Sequence, residues 1–538
     1  MKIIVTESIA KEGIEQLQND GFEVDVRFGI SAEELLDIIQ DYDAIIVRSV
    51  TQVNKQLMDK GSKLKVVGRA GNGVDNIDLQ TATDKGIIVV NTPESNSMAA
   101  AELAVGHAYA IFRNIVQAVT AGKNDDFRRG KFIGSELDGK TAGIIGLGRI
   151  GSIVANKLKG SNMKVIAYDP YVSDDKFDRL GVRRCHTLDD LLKDADLITI
   201  HTPKNSETVN IINAAELAKC KDGVRIVNAA RGGLVNEDAL YDALVSGKVA
   251  ACALDVLNPE PNYNKAPGEQ NYQNKLLTLP NCIVTPHLGA STKEANYNVG
   301  MVVTKLVGMA LEGQVVQAVN MPSVAGKDFN EMKPFIKLAE ALGCIYYQTE
   351  NPTLEKLEIT YYGDIAEDKA ACGIYTLSVI KGLLEPVCAT RINYVNAEAM
   401  LEQAGVKYSE KFEKSVDKFQ NVITVTFVSS EKTLSVSGTV FAQSEIRIVD
   451  FYGYKVNFEP TAHVIALQNR DIPGMIGKIG TVLGDHGINI AAVQWSGNDK
   501  GEKAEALVSV DQEVSDDIFN VLKSLDGVLK ASRIKFFG

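Results

Sequence analysis

Over the first ninety residues, apolar positions fall into short uninterrupted runs separated by stretches of helical period. KIIVTE, FEVDVRF, AIIVRS, KVVGRA and GIIVVN each read as a buried strand, since such runs suit a sheet covered on both faces. Between them stand helix signals, among them Ser31 and Glu34, a capping box ahead of Leu35, Leu36, Ile38 and Ile39. Strands alternating with helices predict a parallel sheet wrapped by helices. An alanine-rich helical stretch spans residues 97–122, and a second series follows: TAGIIG, KVIAYD, LITIHT, RIVNAA, ACALDV and CIVTP. The two series predict two doubly wound α/β domains, with a helix over Ser291–Glu312 returning the chain to the first. After Asn320-Met321-Pro322 the pattern changes. Segments such as KLEITYYG, VITVTFVSS and TLSVSGTVF within 350–460 predict an α+β domain. The last 77 residues read β-α-β-β-α-β, with helices over Gly474–His486 and near 516–525, a ferredoxin-like order.

Composition narrows the class. At 538 residues the chain is too long for a single core. Its 45% hydrophobic and 23% charged content is ordinary for a soluble protein. No run approaches the roughly 18 apolar residues a membrane helix needs, and MKIIVTES reads as a strand and turn, not a signal peptide. A cytoplasmic protein with no membrane partner is expected. The net charge of −12 and the lack of a basic block argue against nucleic acid. The seven cysteines are scattered, with no Cys-x-x-Cys pair, and the six histidines are dispersed. Neither a disulfide framework nor a metal site is expected.

The strongest local motif is Gly146-Leu147-Gly148-Arg149-Ile150-Gly151, directly after the strand TAGII and opening a helical stretch. Such a pattern alone is weak among 45 glycines, but this context is specific. Gly146 permits the tight turn, Gly148 lets a pyrophosphate approach the backbone, and Gly151 allows close helix–strand packing. Eighteen residues past Gly151, Asp169 ends the next strand, where it can accept from a ribose diol and repel a 2′-phosphate. NAD is therefore the expected cofactor.

Three further segments end strands of the second series, where a doubly wound sheet places its ligand. NAARGG supplies Arg231, LDVLNPEP supplies Glu260, and TPHLG supplies His287. An imidazole can take or return a hydroxyl proton while hydride moves. A carboxylate beside it orients the ring, and an arginine fork can hold a substrate carboxylate. Each alone has a plainer explanation as a packing histidine, a solvated turn or a loop end. Their joint occurrence after the nucleotide motif favours chemistry.

On GLGRIG, NAARGGLVNEDAL, ALDV…EP and TPHLGAST, residues 1–320 resemble the D-isomer-specific 2-hydroxyacid dehydrogenases. The resemblance implies two Rossmann-like domains, substrate held by the first and cofactor by the second, with catalysis by Arg231, Glu260 and His287 in the cleft between. It further implies that Arg149 and Ile150 attend the dinucleotide. Asn72, Thr202, Ala229, Ala230, Arg231 and Asp255, with His287, Leu288, Gly289 and Ala290, would line its nicotinamide side.

Within that family the first domain resembles the members that oxidise 3-phosphoglycerate, through RSVT (48–51), GRAGNGVDNID (68–78) and NTP (91–93). A substrate with a carboxylate and a phosphate needs cations at both ends. Arg48 and Arg69 suit it, beside Asn72, Gly73, Arg231 and His287. Arg129 resembles the arginine that a partner subunit contributes. Two departures are visible: Ser95 stands where the family usually has glycine, and residues 261–277 form an enlarged polar loop. The C-terminal half resembles an intervening domain followed by an ACT domain. That implies an L-serine effector held by Asn469, Asp471 and Asn489, with Asp471 capping a helix that starts near Pro473. The expected domains are 1–92 with 288–320, 93–287, 321–456 and 457–538, in a homodimer or homotetramer. The rivals are an oxidoreductase for glycerate, lactate or 2-hydroxyglutarate, and an NAD-sensing corepressor.

Overall fold

The computed structural model describes residues 1–261, 265–266, 268–269, 271–322, 329–388, 391–414, 419–442, 444–497 and 502–537, and these form four sheets. The first comprises β1 (Lys2–Val5), β2 (Glu23–Val26), β3 (Ala44–Val47), β4 (Val66–Arg69) and β5 (Ile88–Asn91), all parallel, in the order β2-β1-β3-β4-β5. Every residue of β3 is buried, as its apolar run requires. β2 is different: it lies at the sheet edge, with Val26 exposed, so FEVDVRF is not the buried strand its apolar content suggests.

The second sheet holds β6 (Thr141–Ile145), β7 (Lys164–Tyr168), β8 (Arg183–Arg184), β9 (Leu197–Ile200), β10 (Val224–Asn228), β11 (Val249–Leu254) and β12 (Cys282–Val284). Its order is β12-β11-β10-β9-β6-β7-β8, so the chain reverses direction across the sheet between β6 and β9. β8 is a two-residue edge strand too short to leave a hydrophobic pattern. The alanine-rich stretch between the sheets is two helices, Ser97–Arg113 and Ile115–Lys123, broken where Asn114 adopts a left-handed φ of 52°. The helix Lys293–Leu311, capped by Thr292, packs back into the first domain's core through Val299, Val303 and Val307.

The third sheet runs β14 (Lys407–Glu413), β13 (Leu354–Gly363), β15 (Asn421–Ser429), β16 (Thr433–Phe441), β17 (Glu445–Phe451), β18 (Tyr454–Phe458). The fourth runs β20 (Ile490–Gly497), β21 (Lys503–Val510), β19 (Val464–Arg470), β22 (Val528–Ile534), all antiparallel. With helices Met475–Asp485 and Asp516–Ser524, this completes the βαββαβ order. These two sheets share one core: Val464, Ala466, Leu507, Ile534 and Phe536 of the last domain pack among Leu354, Phe427 and Val436. At their junction the buried carboxylate of Glu350 is bracketed by Lys432 and Lys530, one from each domain. Nearby, Glu505 of β21 is also buried.

The α+β domain touches the first domain directly. Asn393 Nδ2 donates to the Gly86 carbonyl at 2.7 Å in a buried contact, and Val395 joins the first domain's core. The return is pinned by Asn320, whose Oδ1 accepts from Val89 N at 3.0 Å while Nδ2 donates to Ile87 O at 2.9 Å.

Candidate active site

The carboxyl ends of the strands in the two parallel sheets face a shared cleft of about 980 Å³. Thr6, Arg48, Arg69 and Asn72 line it from the first domain, Ala230, Arg231, Glu260 and His287 from the second, and Gly289 and Ala290 from the start of the returning segment. Open α/β sheets bind ligands in such crevices. The chain therefore brings Arg231, Glu260 and His287 together, although 27 residues separate the last two. Ala229, Ile150 and Gly73 line it too.

The glycine motif forms a crevice beside this cleft. Gly146 has a φ of 91°, and a side chain there would overlap the His201 carbonyl and Thr202. A methyl on Gly151 would overlap the Gly146 carbonyl, so helix and strand approach as closely as the motif predicts. Nothing lies within 4 Å of where a side chain on Gly148 would begin, and no side chain caps the helix Arg149–Gly160 that starts there. Its N-terminus is left to stabilise negative charge. Asp169 accepts from Leu147 N at 2.8 Å and Tyr171 N at 3.0 Å, which ties the end of β7 to the glycine turn. The buried Thr202 hydroxyl lacks a hydrogen-bond partner. Arg149 is exposed and pairs with Glu94 at 3.2 Å. A backbone cradle, an uncapped helix N-terminus and an acid at the next strand's end fit a dinucleotide with a free ribose diol. NAD is the cofactor of this domain.

His287 Nδ1 lies 3.1 Å from Glu260 Oε2. The ring is held by its backbone, for His287 has a left-handed φ of 55° and donates its N–H to the Asp255 carbonyl at 2.9 Å. Asp255 is 0% exposed. Its Oδ1 accepts from Thr285 Oγ1 (2.5 Å) and Leu288 N (2.8 Å), and its Oδ2 from Gly289 N (2.9 Å). These three bonds make the Asp255 carboxylate the brace of the 285–289 turn, directly beneath the side of the cleft that His287 lines. Leu288 likewise contributes its backbone N–H to that turn while its side chain points outward, 38% exposed.

Three arginines, Arg48, Arg69 and Arg231, line the cleft close enough to act on one another. Burial, with Arg231 and then Arg48 as neighbours, pushes the Arg69 guanidinium down to about 10. Its buried Nε has no acceptor, which marks a place made for an anion. Room for these side chains comes from glycine: a carbon on Gly71 would overlap Arg69 Nη1, and one on Gly73 would overlap Arg231 Nη2. Arg231 Nε also lies 3.4 Å from Asp75 Oδ2. Glu7, after β1, was missed from the sequence. It lines the cleft and accepts from the backbone N–H of Arg48 (2.9 Å), Val50 (3.2 Å) and Thr51 (3.0 Å), fixing the loop that presents Arg48. An acid at the carboxyl end of a parallel strand was the available signal. Asn96 also lines the cleft.

Other expected residues lie elsewhere. Arg129 is exposed on the turn Arg129–Phe132 and does not line the cleft. Asp471 and Asn489 are exposed, Asn489 donating to Asp511 Oδ2 at 2.6 Å. Asn469 is 0% exposed, its amide donating to Arg470 O at 2.7 Å while its buried Oδ1 has no hydrogen-bond partner. Asp471 is not the helix cap: Gly474 holds that place in a left-handed conformation, without a side-chain bond. Of the enlarged loop, residues 262–264, 267 and 270 lie outside the described residues. The remainder braces the Glu260 turn, since Tyr272 Oη donates to Pro259 O at 2.8 Å and Asn274 to Glu237 at 2.6 Å. Ser95 donates its N–H to the Thr92 carbonyl at 3.3 Å and is not among the cleft residues. Among the described residues, no group of three or more His, Cys, Asp or Glu could hold a metal ion, and no helix is long and apolar enough to cross a membrane.

An imidazole–carboxylate pair facing an arginine, set beside a dinucleotide crevice between two parallel-sheet domains, defines an NAD-dependent oxidoreductase acting on a carbon that bears oxygen. Residues 105–289 match the NAD binding domain of D-isomer specific 2-hydroxyacid dehydrogenases, 331–452 the D-3-phosphoglycerate dehydrogenase intervening domain, and 463–527 the ACT domain. The chain is 40% identical to a D-3-phosphoglycerate dehydrogenase of Archaeoglobus fulgidus, covering 99% of this chain and 100% of that one. It is 39% identical to one of Methanocaldococcus jannaschii, covering 98% of each. A glyoxylate reductase structure from Paecilomyes thermophila superposes with TM-score 0.53 at 29% identity, over 59% of this chain and 98% of that one. The chain belongs to the D-3-phosphoglycerate dehydrogenase family.

Proposed function

We propose that the protein oxidises 3-phospho-D-glycerate to 3-phosphohydroxypyruvate with NAD, the step that diverts this acid toward L-serine. The observation that carries this is that Arg48, Arg69 and Arg231 line the same cleft as the His287–Glu260 pair. Arg231 would hold the substrate carboxylate and polarise the neighbouring oxygen. Arg48 and Arg69 supply a second cationic end for phosphate, which a lactate or glycerate enzyme has no need of. His287 takes the C2 hydroxyl proton in oxidation and returns it in reduction, and Glu260 steadies the ring that becomes charged. The glycine crevice and Asp169 would hold NAD, which when bound would supply the acceptor for the hydride from C2. A corepressor would have no use for a complete proton-handling pair.

The ACT domain fits feedback by L-serine at Asp471 and Asn489. Assembly as a homo-oligomer is supported by the helix Ile115–Lys123, which buries none of its residues, and by Phe127 (76% exposed) and Ile133 (81% exposed) beside it. Arg129 stands on that same surface, suitably placed to serve a neighbouring copy. All seven cysteines are free thiols, which suits the reducing cytoplasm.

The test is to supply NADH with 3-phosphohydroxypyruvate, 2-oxoglutarate, pyruvate or glyoxylate and follow loss of NADH. Fastest turnover with the phosphorylated acid, cut by about 10²–10⁴ in His287→Ala, is expected. A preference for an unphosphorylated acid would reassign the substrate, and no turnover by the folded chain would favour the sensor.

A further inference from the structure

One buried titratable group beneath the active site takes no part in the chemistry above. His107 lies on the helix Ser97–Arg113, 5% exposed, with Nε2 3.2 Å from Thr285 Oγ1. We propose that His107 is a positioning residue for the reaction, holding the turn that carries His287 through Thr285 and Asp255.

The direction of each hydrogen bond follows from counting protons. An ionised carboxylate only accepts, so the single proton of the Thr285 hydroxyl is committed to Asp255 Oδ1, 2.5 Å away. Thr285 Oγ1 must then accept from His107, which requires the proton on Nε2. The other ring nitrogen, Nδ1, is buried and has no partner. As a bare lone pair it is the group this tautomer leaves unsatisfied. Burial also holds the ring below its ordinary pKa, while Asp255 opposes that to a lesser degree, so the neutral form is favoured.

The relay matters because of what Asp255 holds. Its carboxylate accepts from Leu288 N and Gly289 N, and its carbonyl accepts from His287 N. These bonds keep His287 at a φ of 55°, a region that residues with a side chain rarely adopt and that persists only where surroundings enforce it. In that conformation the ring meets Glu260. The His107–Thr285 bond fixes the hydroxyl rotor, the rotor fixes the Asp255 carboxylate, and the carboxylate fixes the turn. A lost donor at position 107 frees the Thr285 hydroxyl to rotate, and the effect is read at the imidazole.

This inference rests on His287 as the proton carrier, so its test needs one arm free of activity. In the full-length chain, His107→Leu is expected to lower kcat by about ten- to a hundredfold, as small misplacements of a catalytic group do. The KM for 3-phosphohydroxypyruvate should stay within about twofold, because Arg48 and Arg69 are untouched. His107→Gln, whose amide can donate from nearly the place of Nε2, should recover most of the rate, and Thr285→Val should reproduce the loss where Thr285→Ser does not. Hydrogen exchange at the Leu288 and Gly289 amides should quicken in His107→Leu and not in His107→Gln. Wild-type kcat in His107→Leu, a Gln variant as slow as the Leu variant, or unchanged exchange would overturn the inference. Should His107→Leu fail to fold, the Thr285 pair decides alone. If the wild-type chain reduces no 2-oxo acid, the proposed function falls while the exchange arm still decides the role of His107.

Discussion

Gly73 and Arg231 occupy one volume: a single carbon added to Gly73 would overlap Nη2 of the Arg231 guanidinium. The guanidinium has its place because position 73 has no side chain. Gly73→Ala should therefore displace the Arg231 guanidinium, the group proposed to hold the substrate carboxylate, without disturbing the core. A charged hydrogen bond contributes about 1.5–3 kcal/mol, so kcat/KM for the 2-oxo acid should fall about ten- to a hundredfold. Steady-state kinetics with unchanged circular dichroism would show it.

Glu260 and His287 meet at 3.1 Å on a partly exposed rim. Glu260→Gln keeps the size and a hydrogen bond but removes the charge that balances a protonated ring. We expect kcat to drop at least about tenfold, and by 10²–10⁴ in His287→Ala. NADH affinity, read by fluorescence titration, should be little changed in both, since the glycine crevice is separate.

The opposite split is expected at Gly151. A methyl there would overlap the Gly146 carbonyl, opening the contact between the helix Arg149–Gly160 and the glycine turn. Gly151→Ala should weaken NADH binding about tenfold or more while the arginine cluster remains intact. Equal NADH affinity in the variant would place the dinucleotide elsewhere.

At the junction of the last two domains, burial pushes the Glu505 carboxyl up to about 7, with Gln468 and Lys530 opposing it. A folded-state value above the ordinary 4.5 means that folding favours the protonated form. The resulting stability is full below about 4.5 and is lost as pH rises through about 7. Holding the proton that much more tightly is worth on the order of 3 kcal/mol. The melting temperature of the C-terminal half should therefore decline between pH 5 and pH 8, and Glu505→Gln should flatten that decline.

Much of this site was legible because its chemistry sits where local pattern is strong. Gly146, Gly148 and Gly151 follow a recognisable strand, and Arg231, Glu260 and His287 each end one, so a parallel sheet brings them together without knowledge of any contact. What failed to show depends on the third dimension. Asp255 stands beside those motifs, and only burial reveals that its oxygens are committed to a turn. His107 looks like one more residue of an alanine-rich helix until Thr285 is folded against it. That the strand ending at Asn469 and Arg470 lies inside its sheet is likewise a matter of sheet order alone. FEVDVRF carries the apolar content of an interior strand at an edge, a distinction that sheet order makes and composition cannot. The break at Asn114 rests on one left-handed residue that helical periodicity passes over.

The bond from Asn393 to the Gly86 carbonyl ties the distal half of the chain to the jaw that carries Arg48 and Arg69. The glycine crevice belongs to the other jaw. A displacement arising among the last two sheets would reach the Arg48–Arg69 wall of the cleft before the glycine crevice. Were the far end to throttle the enzyme, the expected sign is altered handling of the phosphorylated acid, with NADH affinity unchanged.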